Sequence, residues 1–372
     1  MRNTYCEISL PIIKNNLKII QDFCGTKKVC AVIKADAYGH SIVPVAKALA
    51  EQGVDYVAVA IVEEGKKIRE AGIMTPILLL AGIEAYEIDD CIKYDLTITA
   101  SSLEKLNHIA ERSVALSKKP TIHLKIDTGM SRIGAHWNRC KEYIETAKKL
   151  VDDGVVICEG IYSHFADTLN TEFTKHQFDR LNDVISYANS IGLYFPIAHI
   201  CSSRSIFMHP EYHMDMVRAG ISLYGIEPES GKNILSPGIM PVLSWKSHVV
   251  YFKVVMHDEF VGYGRTWQPK GEYARIATIP VGYADGFPRR LSNIGSVIIR
   301  GRKYPIAGRV CMDQIMVDLG MDGEAYVGDI VTLIGIDSEE SISAESIAEI
   351  IDTTTHEITT CISGRVPRII IK

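Results

Sequence analysis

Short runs of β-branched and other apolar residues alternate with longer amphipathic stretches over the first two thirds of the chain. The runs are Cys30 to Ile33, Tyr56 to Ala60, Ile77 to Leu80, Leu96 to Thr99, Thr121 to Ile126 and Val155 to Tyr162. Between them, Ile42 to Gln52, Ile61 to Ala71, Cys140 to Val151 and Gln177 to Ser190 place apolar residues at helical spacing, often closing on Gly. Strand then helix, repeated, predicts a parallel sheet covered by helices. Units of roughly 20 to 40 residues suit a closed (β/α)8 barrel ending near Gly225. A doubly wound sheet is the alternative that periodicity leaves open.

After Pro228 the texture changes. Glu229 to Pro241 is rich in Ser, Gly and Pro and reads as a linker. Beyond it, Trp245 to Val255, Ala274 to Pro280, Ser296 to Ile299, Gln314 to Asp318 and Ile330 to Ile334 read as strands punctuated by Gly, Pro and Asp turns. The opening stretch Thr4 to Ser9 alternates like a strand and is expected to join this second region. The reading is an α/β chain: residues 1–10 as a strand of the β domain, 11–235 as an N-terminal (β/α)8 TIM-like barrel, and 236–372 as a C-terminal mainly-β domain.

Composition narrows the classes. A chain of 372 residues exceeds the usual size of one domain. Hydrophobic residues at 47% and charged residues at 23% belong to a soluble globular protein rather than a disordered or fibrous one. Lys and Arg number 40 against 45 Asp and Glu, a net charge of −5, so no global field draws in a polyanion and nucleic acid is not an expected partner. No apolar run approaches the ~18 residues of a membrane-spanning helix. Met1 leads into Arg2, Asn3 and Thr4 without the apolar core of a signal peptide. Nine scattered cysteines without a CxxC pair indicate neither a disulfide framework nor a zinc site, so a cytoplasmic location and no metal are expected.

The segment Ala31-Val32-Ile33-Lys34-Ala35-Asp36-Ala37-Tyr38-Gly39-His40 is an apolar strand ending in a lysine and a polar turn. In a barrel the C-terminal strand ends face the active site, where a lysine can be desolvated enough to attack an aldehyde as a neutral amine. Taken alone, such a lysine more often emerges into solvent. Further segments change that weighting: His123 to Gly134, Tyr162 to Ala166, His199 to Arg204, Asp215 to Gly225, Val261 to Thr266, Pro280 to Phe287, Gly308 to Gln314 and His356 to Arg368. Together with the Lys34 decapeptide they resemble, in the same order, the motifs of the alanine racemase family. The resemblance runs from Glu7 to Arg368.

This resemblance implies a fold-type III enzyme that uses pyridoxal 5'-phosphate to interconvert L- and D-alanine, supplying D-amino acids for peptidoglycan. It also implies a head-to-tail homodimer with shared active sites. On it, Lys34 holds the cofactor as a Schiff base, while Tyr38, Ser203, Gly220 and Ile221 hold the phosphate, with His356 beside it. Arg132 lies near the cofactor's phenolic oxygen and the substrate carboxylate, fixed by a carbamylated Lys125. Arg218 partners the pyridine nitrogen and His164 is its neighbour. An arginine hardly gives up its proton, so the ring nitrogen stays unprotonated and the cofactor is a weaker electron sink. Racemisation takes a proton from one face and returns one to the other, which needs two acid/base groups. Lys34 serves one face and Tyr263 of the other subunit, helped by His164, serves the other. Met312 offers its backbone N–H to the substrate carboxylate, and Tyr283 and Asp313 line the entry.

The chain departs from the family at Ser41, where Gly is usual, at Ser202, where Asn is usual, at Arg204, which adds a charge, and at His356, where Tyr is usual. The last changes the polarity beside a substrate β-carbon. A hydrophobic pocket rejects an extra hydroxyl by only ~100-fold, so acceptance of serine is expected alongside alanine. A dedicated serine racemase of the vancomycin-resistance type, in which this chain is the cytoplasmic part of a membrane-bound protein, is the alternative. Remoter alternatives are a pyridoxal-phosphate-dependent decarboxylase and a non-catalytic carrier of the cofactor.

Overall fold

The computed structural model of the chain describes residues 3–228 and 233–372. Residues 229–232 of the expected linker, and residues 1 and 2 of the opening segment, lie outside the described residues.

The first strand, β1 (Tyr5–Ser9), runs directly into the helix Leu10–Cys24. Strands β2 (Lys28–Val32), β3 (Tyr56–Val59), β4 (Ile77–Leu79), β5 (Thr97–Ala100) and β6 (Thr121–Asp127) follow, with helices between most of them. Then come a two-residue strand β7 (Ala135–His136), β8 (Ile157–Tyr162), β9 (Ile197–His199) and β10 (Met216–Ala219). Eight of these pair in the order β10, β2, β3, β4, β5, β6, β8, β9, and β7 adds to β6. An isolated parallel bridge between Ser202 and Arg218, and the Asp215 N–H donating to the Ala198 carbonyl at 3.0 Å, draw β9 and β10 together. The sheet is thus a nearly closed eight-stranded parallel barrel, not an open doubly wound sheet.

Every residue of β3 and β5 is buried, as expected of parallel strands covered on one face by helices and on the other by the barrel interior. The helix Leu10–Cys24 buries Ile13, Leu17, Ile20 and Cys24 at helical spacing. Its N-cap is Ser9, whose hydroxyl accepts from the Ile12 N–H at 3.4 Å. Asn16 lies on the same buried face. Its Nδ2 donates to the carbonyls of Leu223 (3.0 Å) and Met240 (2.8 Å), and its Oδ1 accepts from the Met240 N–H at 3.0 Å. One amide thereby ties the end of the barrel to the start of the second region. The two backbones meet closely there: a Cβ on Gly225 would fall 1.9 Å from the Met240 carbonyl oxygen.

The second region contributes β11 (Leu243–His248), β12 (Tyr251–Met256), β13 (Tyr273–Ile279), β14 (Ser296–Ile299), β15 (Arg302–Pro305), β16 (Ile315–Asp318), β17 (Ile330–Asp337), β18 (Glu340–Ile342) and β19 (Arg368–Ile371). A seven-stranded sheet runs β15, β14, β17, β11, β1, β19, with β18 on β17; a three-stranded sheet runs β12, β13, β16. β1 lies between β11, antiparallel, and β19, parallel. The run Trp245 to Val255, expected as one strand, is broken. The Val249 N–H donates to Asp329 O and the Val250 N–H to Thr278 O, each at 2.9 Å, so the halves enter different sheets. One apolar core extends from the barrel into the larger sheet, where Trp245 meets Phe287 edge-on at 5.8 Å; Val255, Val261, Ala274, Ile276 and Ala307 form a separate small core.

Candidate active site

The C-terminal ends of the barrel strands open into a cavity of about 940 Å³. Lys34, Tyr38, Lys125, Arg132, His164, Ser203, Arg218, Gly220, Ile221 and His356 all line it. Most belong to a strand end or the loop after one: Lys34 follows β2, Lys125 is in β6, His164 follows β8, Ser203 follows β9 and Arg218 is in β10. His356 comes from the short helix Thr355–Thr360. Burial, and next Arg132, lower the proton affinity of the Lys34 amine, while Glu64 opposes them. A desolvated amine of this kind is a nucleophile.

The polar turn after Lys34 is left-handed. Ala35, Asp36, Ala37 and Tyr38 have φ of 53°, 53°, 55° and 54°, a conformation that costs roughly 1–2 kcal/mol for each residue with a Cβ. Its surroundings hold it there. Asp36 Oδ1 accepts from the Ile42 N–H at 2.8 Å and the Asp36 N–H donates to Glu64 Oε1 at 3.3 Å. His40 Nδ1 donates to the carbonyls of Tyr38 (2.9 Å) and Ala37 (3.0 Å), and burial pushes this imidazole down to about 4. The turn directs Tyr38 inward, against the Tyr224 ring at 4.9 Å and the His356 ring at 5.8 Å.

Tyr38 and Ser203 form one wall with Gly220. A Cβ at Gly220 would lie 2.9 Å from Tyr38 Oη and 3.5 Å from Ser203 Oγ. Ser203 Oγ accepts from the Gly220 N–H at 2.9 Å, the Ser222 N–H at 3.2 Å and the Ser222 O–H at 3.0 Å, and none of these uses its own O–H. The Gly220 N–H, expected to face a phosphate, is therefore engaged by Ser203, and the hydroxyls of Ser203 and Tyr38 are the donors at this wall.

Across the barrel interior, Arg218 is 3% exposed. Its Nη1 lies 2.6 Å from His199 Nδ1; Nη2 lies 3.1 Å from His164 Nδ1 and donates to the carbonyls of Ser163 (2.8 Å) and Ile200 (2.9 Å). Burial foremost, with Arg218 next, holds His164 well below the ordinary imidazole range. Lys125 is 4% exposed, and burial with the two arginines 218 and 132 pushes its amine far down. Its Nζ sits 4.6 Å from the centre of the Tyr162 ring, which stacks on His199 at 4.6 Å and 3°. Sequence reasoning gave Tyr162 and His199 no role. Their only signal was position, each being the last residue of a barrel strand.

Tyr263, Tyr283, Met312 and Asp313 do not line this cavity. Tyr263 is 71% exposed, Met312 53% and Tyr283 43%. The Tyr283 N–H donates to Cys311 O at 3.1 Å and the Ala284 N–H to Met312 O at 3.0 Å, which joins two of these loops. Asp313 pairs with Arg365 at 2.7 Å. The chain thus carries two clusters: a buried one at the barrel mouth and an exposed one on the β domain.

The cavity suits pyridoxal phosphate: an amine of lowered basicity, a narrow wall of hydroxyl donors that a Cβ would fill, and a buried arginine. A parallel barrel followed by a β domain, with such an amine just past its first barrel strand, defines a fold-type III pyridoxal-phosphate enzyme. Residues 8–228 match the family model described as alanine racemase, N-terminal domain, and residues 242–370 the one described as alanine racemase, C-terminal domain. The alanine racemase of Halothermothrix orenii is 42% identical over 99% of this chain and 96% of its own length. Two solved structures align over all of this chain and 96% of theirs, each with a TM-score of 0.92. They are alanine racemase of Clostridium difficile 630, 36% identical, and that of Bacillus anthracis with bound L-Ala-P, 34% identical. The chain belongs to the alanine racemase family, whose members depend on pyridoxal phosphate. Among the described residues no helix is long and apolar enough to cross a membrane.

Proposed function

We propose that this chain interconverts L- and D-alanine, with serine as a second substrate, and so supplies D-amino acids for peptidoglycan. The observation that carries the reading is the partly desolvated Lys34 amine in a cavity shared with Arg218 and the hydroxyl wall of Tyr38 and Ser203. When bound, pyridoxal phosphate supplies an aldehyde for amines and an electron-withdrawing ring that acidifies the substrate α-proton. Tyr38 Oη and Ser203 Oγ hold the phosphate, with Ile221 beside them. Lys34 Nζ exchanges the α-proton on one face. Arg132 orients the carboxylate, and Lys125, whose neutral amine is the form that carbamylates, steadies Arg132. Arg218 keeps its own protons, so no acid stands at the ring nitrogen.

The second face requires a second base. We assign it to Tyr263 Oη of a second copy, with Tyr283, Met312 and Asp313 at the same composite site. The exposure of this cluster, away from its own cavity, supports the assignment. Lys34→Ala and Tyr263→Phe homodimers should both be inactive. Mixed together, they should regain about a quarter of the unsubstituted activity, because half the dimers then hold one intact site. No recovery would refute a shared site.

In deuterium oxide, alanine should acquire solvent deuterium at Cα while its enantiomer accumulates by chiral chromatography. Borohydride should abolish an imine absorption band, and Lys34→Ala should lack both band and exchange. Carbon dioxide release would mark a decarboxylase, and a band without exchange a non-catalytic carrier. His356 lines the cavity, with Nδ1 3.1 Å from Thr354 Oγ1. His356→Tyr should lower the ratio of kcat/KM for serine to that for alanine; an unchanged ratio removes serine from the proposal.

A further inference from the structure

Arg218 is buried, and among the described residues the hydrogen-bond partners of its guanidinium are two imidazoles and two carbonyls, none of them an anion, with the centre of the Tyr162 ring 5.3 Å away. A buried charge without compensation is expensive. Beyond His199 the hydrogen bonds continue. His199 Nε2 lies 3.0 Å from His123 Nδ1, and His123 Nε2 lies 3.2 Å from Glu159 Oε2. Glu159 also accepts from Tyr56 Oη and is 28% exposed, so its charge keeps contact with water.

The direction of every bond follows from one end. Arginine only donates, so His199 Nδ1 is bare and the His199 proton sits on Nε2. That N–H donates to His123 Nδ1, which confines the His123 proton to Nε2, facing the carboxylate. Reversing either ring sets two N–H groups or two lone pairs against each other. Both imidazoles therefore turn their bare nitrogens toward Arg218, and the aligned dipoles carry the influence of the Glu159 charge to the guanidinium. The His123 ring cannot swing away: a Cβ on Gly160 would fall 2.6 Å from two of its atoms.

We propose that His123 and Glu159 are positioning residues for Arg218, holding and polarising His199 as the acceptor of its guanidinium. The functional part rests on the reading in which Arg218 faces the cofactor; the tautomers do not. The test is two-bond 1H–15N correlation on the cofactor-loaded enzyme labelled with 15N-histidine, assigned through single histidine substitutions. His199 and His123 should both carry one proton, on Nε2. Glu159→Leu leaves both tautomers fixed from the Arg218 end but strips the His123 N–H of its anion, and should lower kcat for alanine about tenfold, the effect of one hydrogen bond to a charged group, with little change in KM. Glu159→Gln, whose amide oxygen still accepts, should keep the tautomers and recover most of that loss. A proton on Nδ1 of either ring in the unsubstituted enzyme overturns the proposal, as does Glu159→Leu with kcat intact. If Glu159→Leu does not fold, the unsubstituted spectrum and Glu159→Gln decide. Correct tautomers in a protein that racemises nothing would refute the functional reading alone.

Discussion

Gly220→Ala probes the phosphate wall with a single carbon. The added Cβ would sit 2.9 Å from Tyr38 Oη, inside the closest approach of real Cβ atoms, and 3.5 Å from Ser203 Oγ, an ordinary contact. Tyr38 has nowhere easy to go: it is 6% exposed, packed on Tyr224 and fixed at its backbone by the left-handed turn. The displaced group is thus its hydroxyl, and the lost interaction is one hydrogen bond to a dianion. That is about 1.5–3 kcal/mol, or about 10- to 150-fold in dissociation constant. Titrating apoenzyme with pyridoxal phosphate and following the imine band measures it directly. The urea midpoint of the apoenzyme separates lost affinity from lost fold. Unsubstituted affinity in a folded Gly220→Ala protein would refute both the cradle and Tyr38 as its donor.

Two further outcomes follow from charge and strain. His40, His123, His164 and His199 are held below the ordinary imidazole pKa chiefly by burial. As pH falls below ~6.5 the unfolded chain takes up protons that the folded chain refuses, so each ring withdraws up to about 1.4 kcal/mol of stability per pH unit. For His40 that window runs down to about 4. Urea midpoints should therefore drop steeply between pH 6.5 and 5, and a flat profile would contradict neutral buried rings. Ala35, exposed with φ of 53°, is strained by its Cβ. Ala35→Gly should stabilise the apoenzyme by about 0.5–1 kcal/mol despite the added freedom of the unfolded chain, and a lower thermal midpoint would show that the turn is not strained.

Much of the barrel was legible because its longer strands are buried on both faces and read as unbroken apolar runs. β9 and β10 were not, because Pro196 and His199 bound the apolar pair Ile197 and Ala198, and Arg218 interrupts β10. The break at Val249 and Val250 was hidden for another reason. Both residues are β-branched, and what separates them is a pair of carbonyls, Asp329 O and Thr278 O, brought in by distant segments. Lys34, Tyr38 and Arg218, which line one cavity, were singled out through the motifs around them. Asn16 was not, since a lone amide on an amphipathic helix gives no sign that it faces two backbones. Nor does any residue type announce four successive left-handed positions, which tertiary partners impose.

The place of β1 has a consequence for biosynthesis. The barrel strands all precede residue 220 and can find their neighbours as they leave the ribosome. β1 precedes them in the chain yet must wait for β11 and β19, its Cys6 N–H reaching the Pro367 carbonyl at 2.9 Å only once that distant segment has been made. Until then its unsatisfied edges are open to wrong pairing, which makes the nascent polypeptide a candidate for chaperone protection until β11 and β19 have emerged.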